Sequence, residues 1–234
     1  MRRGRSGARI GSCARGRSVI DFGSGLSAAV STVLYIGAHS DDIEIGCGGT
    51  VLKLTAADPE LRVHWVVVSA DGNRAEEALA SAERFLASAP NHEVQVASFR
   101  ERYFPYLPEL KEFFDALGAR VQPDLVFTHQ RDDVHQDHRA VGDLTWNTFR
   151  DHLILEYEIP KYDGDLGRPN VFVRLEDDLA RRKVRAVLDG FPSQADRFWF
   201  NEETFLGLMR LRGVEARSPS GFAEGFHARK LLLG

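Results

Sequence analysis

Two short stretches of the chain carry histidine and carboxylate side chains that could bind a metal ion together. "GAHSDDIEIGCGG" places His39, Asp41 and Asp42 directly after an apolar run. "RDDVHQDHRAVG" places His135 and His138 directly after another apolar run. Imidazole and carboxylate groups are ligands of zinc, and a catalytic zinc site commonly has three protein ligands and one open position for water. The two stretches therefore predict a hydrolytic metal site.

The spacing within each stretch suggests which groups bind the metal. His39 and Asp42 are close enough on one loop to reach a single ion, and either His135 or His138 would supply the third ligand. Asp41 then lies beside the ion without binding it, a position suited to a general base. Zinc lowers the pKa of its bound water to about 7, so hydroxide is available at neutral pH. The remaining histidine could stabilise the oxyanion formed from a carbonyl.

Strand and helix patterns alternate along the part of the chain that must position these residues. A continuous apolar run predicts a strand at residues 32–38, and further strands are predicted at residues 63–69, 93–99 and 123–129, with stretches of helical spacing between them. Such alternation predicts crossover units and a mostly parallel, Rossmann-like sheet flanked by helices. Further on, residues 152–159 predict another strand, and residues 175–191 and 197–212 predict two helices.

The predicted sheet brings the two stretches to one edge. Ligands of parallel α/β sheets bind outside the carboxyl ends of the strands. Both stretches follow strands directly, and Gly46, Gly48 and Gly49 predict a turn between the first strand and its helix. Taken alone, "HSDD" could be a helix N-cap, and the second stretch could be a solvated loop. Their coincidence at strand ends favours the metal site.

The two motifs resemble a known family. "AHSDDIEIGCGGT" is similar to A-H-P-D-D-E-x-x-G-C-G-G-T, the signature of the PIG-L/LmbE-like zinc deacetylases, and "HQDH" is similar to that family's second motif, H-x-D-H. Weaker similarity at "NRAEEA" and "FAEGF" extends the resemblance over most of residues 32–230. The resemblance implies an enzyme with one zinc ion, or another divalent metal, that removes the N-acetyl group from an amino sugar or glycoconjugate.

The resemblance also implies a role for each matching residue. The implied zinc ligands are His39, Asp42 and His138. Asp41 would activate water and then protonate the departing amine. His135 would polarise the acetamide carbonyl, and Asp137 would orient a ligand histidine. Ser40 replaces the family's proline and Ile43 its glutamate, with Glu44 one place later, and neither position is an implied ligand.

Candidates for substrate binding are less specific. Arg74 could hold a sugar hydroxyl or a phosphate with its planar guanidinium, or it could be an exposed helix arginine. His129 ends the fourth predicted strand and could line the pocket or make a structural hydrogen bond. Tyr157 and Tyr162 lie in "ILEYEIPKYDGDLGRPN", which offers aromatic faces and acceptors to a sugar or is a surface loop. Asp133 is a candidate to hold His135 in place.

Charge and composition limit the partners. Residues 1–31 carry six arginines and one acid, so the remainder holds a net −9 of a chain whose total is −4. The first segment predicts a disordered basic leader, and residues 32–234 predict one domain. An acidic domain disfavours nucleic acid, and no apolar run approaches the roughly 18 residues of a membrane span. Two cysteines predict a reducing, cytoplasmic location rather than a disulfide framework.

Two other functions compete with deacetylation. A phosphoesterase with two metals would need ions about 3.5–4 Å apart and more bridging carboxylates than the motifs offer. A non-catalytic sugar- or nucleotide-binding module would explain the sheet, but "GCGG" is not the spaced dinucleotide motif G-x-G-x-x-G. The predicted partner is an N-acetylated sugar or glycoconjugate, and the sequence leaves its identity, as well as assembly into a homo-oligomer, open.

Overall fold

The centre of the molecule is one seven-stranded sheet. A computed structural model describes residues 30–231 of the protein. Its strands are Thr32–Gly37 (β1), Arg62–Val67 (β2), His92–Val96 (β3), Leu125–His129 (β4), Leu153–Tyr157 (β5), Val171–Leu175 (β6) and Phe222–Ala228 (β7). They run in the order β3-β2-β1-β4-β5-β7-β6. The first five are parallel, and β7 is antiparallel to both its neighbours, so the predicted mostly parallel α/β fold is confirmed.

Helices cover both faces of the sheet. Within the described residues they are Asp42–Ala57 (α1), Gly72–Phe85 (α2), Pro108–Arg120 (α3), Gln136–Thr148 (α4), Asp177–Gly190 (α5) and Glu202–Glu215 (α6), with short 3₁₀ turns at Phe104–Tyr106 and Pro192–Gln194. Alternate β1 residues serve the two faces: Val33 and Tyr35 pack with α1, α2, α5 and α6, whereas Leu34 and Ile36 pack with α3 and α4. Burial on both faces is why the middle of β1, residues 33–36, has no alternation of apolar and polar side chains.

The glycine turn predicted after β1 is wrong. Helix α1 begins at Asp42, and the glycines lie inside it, with a kink at Cys47 (φ −142°, ψ 17°). Glycine is needed at these positions because a larger side chain would not fit, and not because the backbone turns there. A Cβ on Gly46 would lie 2.3 Å from the ring of Tyr157, and one on Gly48 would lie 2.7 Å from Phe85. The glycines therefore let the first turns of α1 pack closely against the core.

A buried ion pair stabilises the kink. Gly49 and Thr50 donate their backbone N–H groups to the Glu224 carboxylate of β7, at 2.8 and 2.6 Å. Lys183 of α5 donates to the Ile45 carbonyl (2.7 Å) and to Glu224 (2.6 Å). Glu224 thus caps the second half of the broken helix, because backbone N–H groups at a helix start need acceptors. This contact accounts for the glutamate in "FAEGF".

Gly46→Ala is expected to destabilise the protein because its methyl group would overlap the ring of Tyr157. Overpacking of a dense core costs roughly 1–3 kcal/mol, which corresponds to a fall in melting temperature of about 2–12 °C for a chain of this size. Gly207→Ala is the matched control, since its Cβ meets nothing within 4 Å on α6. Thermal unfolding of both variants tests this, and equal melting temperatures would contradict the packing argument.

The predicted basic leader, residues 1–31, lies outside the described residues except for its last two. Ser31 donates its backbone N–H and its hydroxyl to the Asp124 carboxylate, both at 2.8 Å. These contacts fix the entry to β1. Over residues 30–231, no helix is both long enough and apolar enough to cross a membrane.

Candidate metal centre

The two predicted stretches meet where two neighbouring strands end. β1 and β4 pair directly, with Tyr35 opposite Phe127. His39 follows β1 and Asp42 opens α1, whereas His138 lies in the first turn of α4, after β4. Because both strands point the same way, the side chains that follow them gather at one edge of the sheet, as the sequence predicts.

Three of these side chains direct nitrogen and oxygen atoms at a common point. His39 Nδ1 lies 3.2 Å from His138 Nε2 and 3.4 Å from Asp42 Oδ2. His138 Nε2 lies 3.5 Å from Asp42 Oδ1. Zinc–ligand distances of about 2.0–2.1 Å in a tetrahedron place neighbouring ligand atoms about 3.3–3.4 Å apart. The spacing of the three donors therefore fits one ion of zinc size.

Two further groupings of potential ligands overlap with this one. Ligand atoms of His39, His135 and His138 lie within 4.8 Å of one another, and so do those of Asp42, His129 and His138. Both groupings share His138. They therefore describe one cluster of donors in the described part of the chain rather than two independent ion sites.

His39 and His138 each contact a carboxylate through their other ring nitrogen. His39 Nε2 lies 3.3 Å from Asp137 Oδ2, and His138 Nδ1 lies 3.0 Å from Asp133 Oδ2. Asp137 in turn accepts the backbone N–H of Arg102 at 2.6 Å, in a loop where Arg102 has a left-handed conformation (φ 68°). Carboxylates in this position orient ligand histidines.

Burial and charge set the protonation of the cluster. Burial alone would lower the pKa of His39, but the Asp137 and Asp42 carboxylates outweigh it and raise that pKa to about 10. Burial and the neighbouring His129 lower the pKa of His138 to about 4. Burial opposes ionisation of Asp42, but His138 and His129 hold its pKa well below the usual range. Metal binding to such a set releases a proton, because ligating imidazole is neutral.

Asp41 differs from its neighbours because its carboxylate makes no hydrogen bond among the described residues. It occupies the N-cap position of α1 but makes no capping bond, so the N-cap interpretation does not describe its side chain. Burial and the charge of Asp42 raise the pKa of Asp41 to about 7, against the lowering effects of His39 and Arg74. A carboxylate with that pKa can exchange protons at neutral pH.

His135 lies beside the imidazoles of His39 and His138. Its ring centroid is 5.1 Å from that of His39 and 4.6 Å from that of His138. Its Nδ1 has no hydrogen-bond partner in the described structure. Burial and the charge of His39 lower the pKa of His135. A neutral imidazole with free hydrogen-bonding capacity is what stabilising an oxyanion would require.

Comparison with known proteins agrees with the motifs. Residues 34–149 match the family described as PIG-L: GlcNAc-PI de-N-acetylase. The chain therefore carries a PIG-L domain over these residues, which are just under half of its length. The resemblance inferred from the sequence is thereby confirmed, whereas the individual residue roles stay predictions. No curated protein sequence matches the chain.

Solved structures share the PIG-L fold at low sequence identity. N,N'-diacetylchitobiose deacetylase from Pyrococcus horikoshii is 21% identical, with a TM-score of 0.68 over 86% of this chain and 85% of that one. The A40926 pseudoaglycone deacetylase is 16% identical, with a TM-score of 0.65 over 87% and 99%. A 4-carboxy-2-hydroxymuconate hydratase from Pseudomonas putida is 18% identical, with a TM-score of 0.66 over 87% and 98%. Identities this low establish the fold alone.

Two of the predicted substrate contacts are wrong for this PIG-L protein. Tyr157 is completely buried, and its hydroxyl donates to the Ile36 carbonyl at 2.6 Å. His129 is also completely buried, with Nε2 3.1 Å from Asp42 Oδ2 and 3.0 Å from the Ala38 nitrogen. These contacts favour the structural hydrogen bond, which is one of the two alternatives that the sequence leaves open for His129.

The side chains of the other two substrate candidates, Arg74 and Tyr162, are not buried. Tyr162 is 68% exposed on the loop that follows β5. Arg74 is half-buried, forms an ion pair with Glu101, and points Nε and Nη2 at the Ser40 hydroxyl from 3.4 and 3.3 Å. The family's proline could not accept these bonds at position 40. Substrate contact by Arg74 and Tyr162 stays a prediction.

The second departure from the family motif, Ile43 followed by Glu44, lies in the interior of the molecule. Ile43 is completely buried in the apolar cluster under α1. Glu44 is also completely buried, and its carboxylate oxygens have no hydrogen-bond partner among residues 30–231. Burial raises the pKa of Glu44 to about 8, against a smaller lowering effect of the Ser81 hydroxyl. Glu44 is therefore mostly neutral at pH 7, which removes the cost of a buried charge.

Proposed function

We propose that the protein is a metal-dependent N-deacetylase that hydrolyses the acetamide of an N-acetylated amino sugar or glycoconjugate. His39, Asp42 and His138 would hold one zinc ion. The observation that carries the proposal is the convergence of donor atoms from His39, Asp42 and His138. Asp41, whose side chain makes no capping bond, lies between two of these residues in the sequence. The family description supports the same reaction.

The reaction requires an activated water, a polarised carbonyl and a protonated leaving group. A zinc ion supplies the first two when bound, since it lowers the pKa of water and acts as a Lewis acid. Asp41 would accept the proton of the attacking water and deliver it to the amine as the C–N bond breaks. His135 would donate a hydrogen bond to the carbonyl oxygen as negative charge develops there. The acetate and the free amino sugar then leave.

The alternatives have weaker support. A two-metal phosphoesterase needs two ion sites, whereas the candidate ligand groups share His138. A binding module without chemistry leaves the unpaired Asp41 unexplained. Hydration of a carbon–carbon double bond deserves a direct comparison, because a hydratase shares the fold at a TM-score of 0.66.

Metal content and product release together test the proposal. We expect about one zinc per chain by elemental analysis and release of acetate from some members of a panel of N-acetylated sugars. Removal of the metal with a chelator should abolish that release, and added zinc should restore it. The matched control is the same panel with the N-acetyl group replaced by a free amine. Acetate release that persists without metal, or turnover of phosphate esters or an alkenoic acid instead, would contradict the proposal.

A further inference from the structure

A buried lysine lies between two carboxylates next to the metal centre. The Lys161 side chain is 8% exposed. Its Nζ donates to Asp133 Oδ2 at 3.0 Å and to the Asp165 carboxylate at 2.6 and 2.8 Å. Asp165 Oδ2 also accepts the backbone N–H of Val134 at 2.7 Å. The loop after β5 is therefore joined to the loop after β4 through one ammonium group.

Asp133 connects this lysine to both histidines of the second motif. It is 1% exposed. One carboxylate oxygen accepts the backbone N–H of His135 at 2.8 Å, and the other lies 3.0 Å from His138 Nδ1. The oxygen that contacts His138 is the one that accepts from Lys161. The prediction that Asp133 holds His135 therefore covers one of the three contacts of its carboxylate.

The contact with Asp133 determines which nitrogen of His138 is free. A carboxylate only accepts hydrogen bonds, so Nδ1 facing it carries the proton. Nε2 then keeps its lone pair, and this is the atom that lies 3.2 Å from His39 Nδ1 and 3.5 Å from Asp42 Oδ1. The opposite tautomer would place a proton where a metal ligand needs the lone pair.

We propose that Lys161 is a positioning residue for the metal centre, whose ammonium holds Asp133 in the orientation that keeps His138 Nε2 available as a ligand. This inference rests on the proposed function for the role of His138. Removing the ammonium would leave Asp133 and Asp165 as two buried carboxylates without a cation between them, which is strongly unfavourable. One of them would have to turn away or take up a proton, and His138 would lose its fixed partner.

The test compares Lys161→Met with wild type and with Lys111→Met, an exposed lysine on α3 whose only ion pair is with Asp115 in the described structure. Zinc affinity is measured by competition with a chromogenic chelator, and the His138 tautomer by ring-nitrogen NMR of the metal-free protein. Loss of a group that orients a ligand lowers metal affinity about 10–100-fold. We expect that loss in Lys161→Met, together with loss of the Nδ1–H tautomer, and neither change in Lys111→Met.

A second variant keeps the test decisive if Lys161→Met does not fold. Lys161→Met/Asp165→Asn removes one positive and one negative charge together, so no pair of buried like charges remains. It should show the same two changes, because Asp133 loses its ammonium partner in both variants. Unchanged zinc affinity and an unchanged His138 tautomer in the double variant would overturn the inference. Failure of the wild type to bind zinc would instead contradict the proposed function, while the tautomer measurement would still report on Lys161.

Discussion

Asp41→Asn is expected to keep the metal and to lose most of the turnover. Loss of a general acid–base group costs about 10²–10⁴-fold in rate, and asparagine cannot accept the proton of the attacking water. The Asp41 side chain makes no capping bond, and its backbone carbonyl can still accept the Ile45 N–H after the substitution. Substitution of a buried carboxylate by an amide of the same size should also leave the fold and the three metal donors in place.

The measurement is acetate release at saturating substrate together with zinc content. Asp132→Asn, an exposed acid on the loop after β4, is the matched control and should retain both. The wild-type pH profile gives a further check. Asp41 acts as a base when deprotonated, so kcat/KM should fall as the pH drops through its pKa, which is about 7 without metal and lower beside a bound cation. Acetate release near the wild-type rate in Asp41→Asn would rule out the role.

The strands that the sequence predicts best are those buried on both faces. β1 and β4 lie inside the sheet, and their middle residues, 33–36 and 125–127, are apolar and buried. β7 was missed because "FAEGFHA" contains Glu224, whose partner Lys183 is 41 residues away. The prediction of a turn at the glycines of α1 failed for the same reason. Its kink depends on that same Glu224, 175 residues from Gly49, and local pattern cannot report such a contact.

The site was predictable to the extent that its geometry is local. His39 and Asp42 lie on one short loop, and the position of that loop at a strand end follows from the fold class. Whether a candidate residue can contact the substrate depends instead on which face of a strand it occupies and on packing with residues distant in the sequence. Tyr157 turns its ring onto Gly46 in the core. The sequence gives no sign that Lys161 is paired, because its partner Asp133 lies 28 residues before it.

His138→Ala and His135→Ala are expected to fail in different ways although the two residues lie three positions apart. An open zinc site has only three protein ligands, so removing His138 should empty it. His135 has a free Nδ1 and no contact with Asp42 within hydrogen-bonding distance in the described structure. His135→Ala should therefore bind zinc nearly as well as the wild type.

Turnover should separate the two variants from each other and from a control. If His135 stabilises the oxyanion, His135→Ala should slow turnover by roughly 10²–10³-fold, the cost typical of losing one such donor. The loss should fall on kcat more than on KM, because the charge develops only in the transition state. His64→Ala, on β2 beside Glu93 and away from the site, should change neither quantity. Zinc titration and steady-state kinetics on one N-acetylated sugar measure both effects. If His135→Ala lost zinc and His138→Ala retained it, the assignment of ligand and oxyanion donor would have to be exchanged.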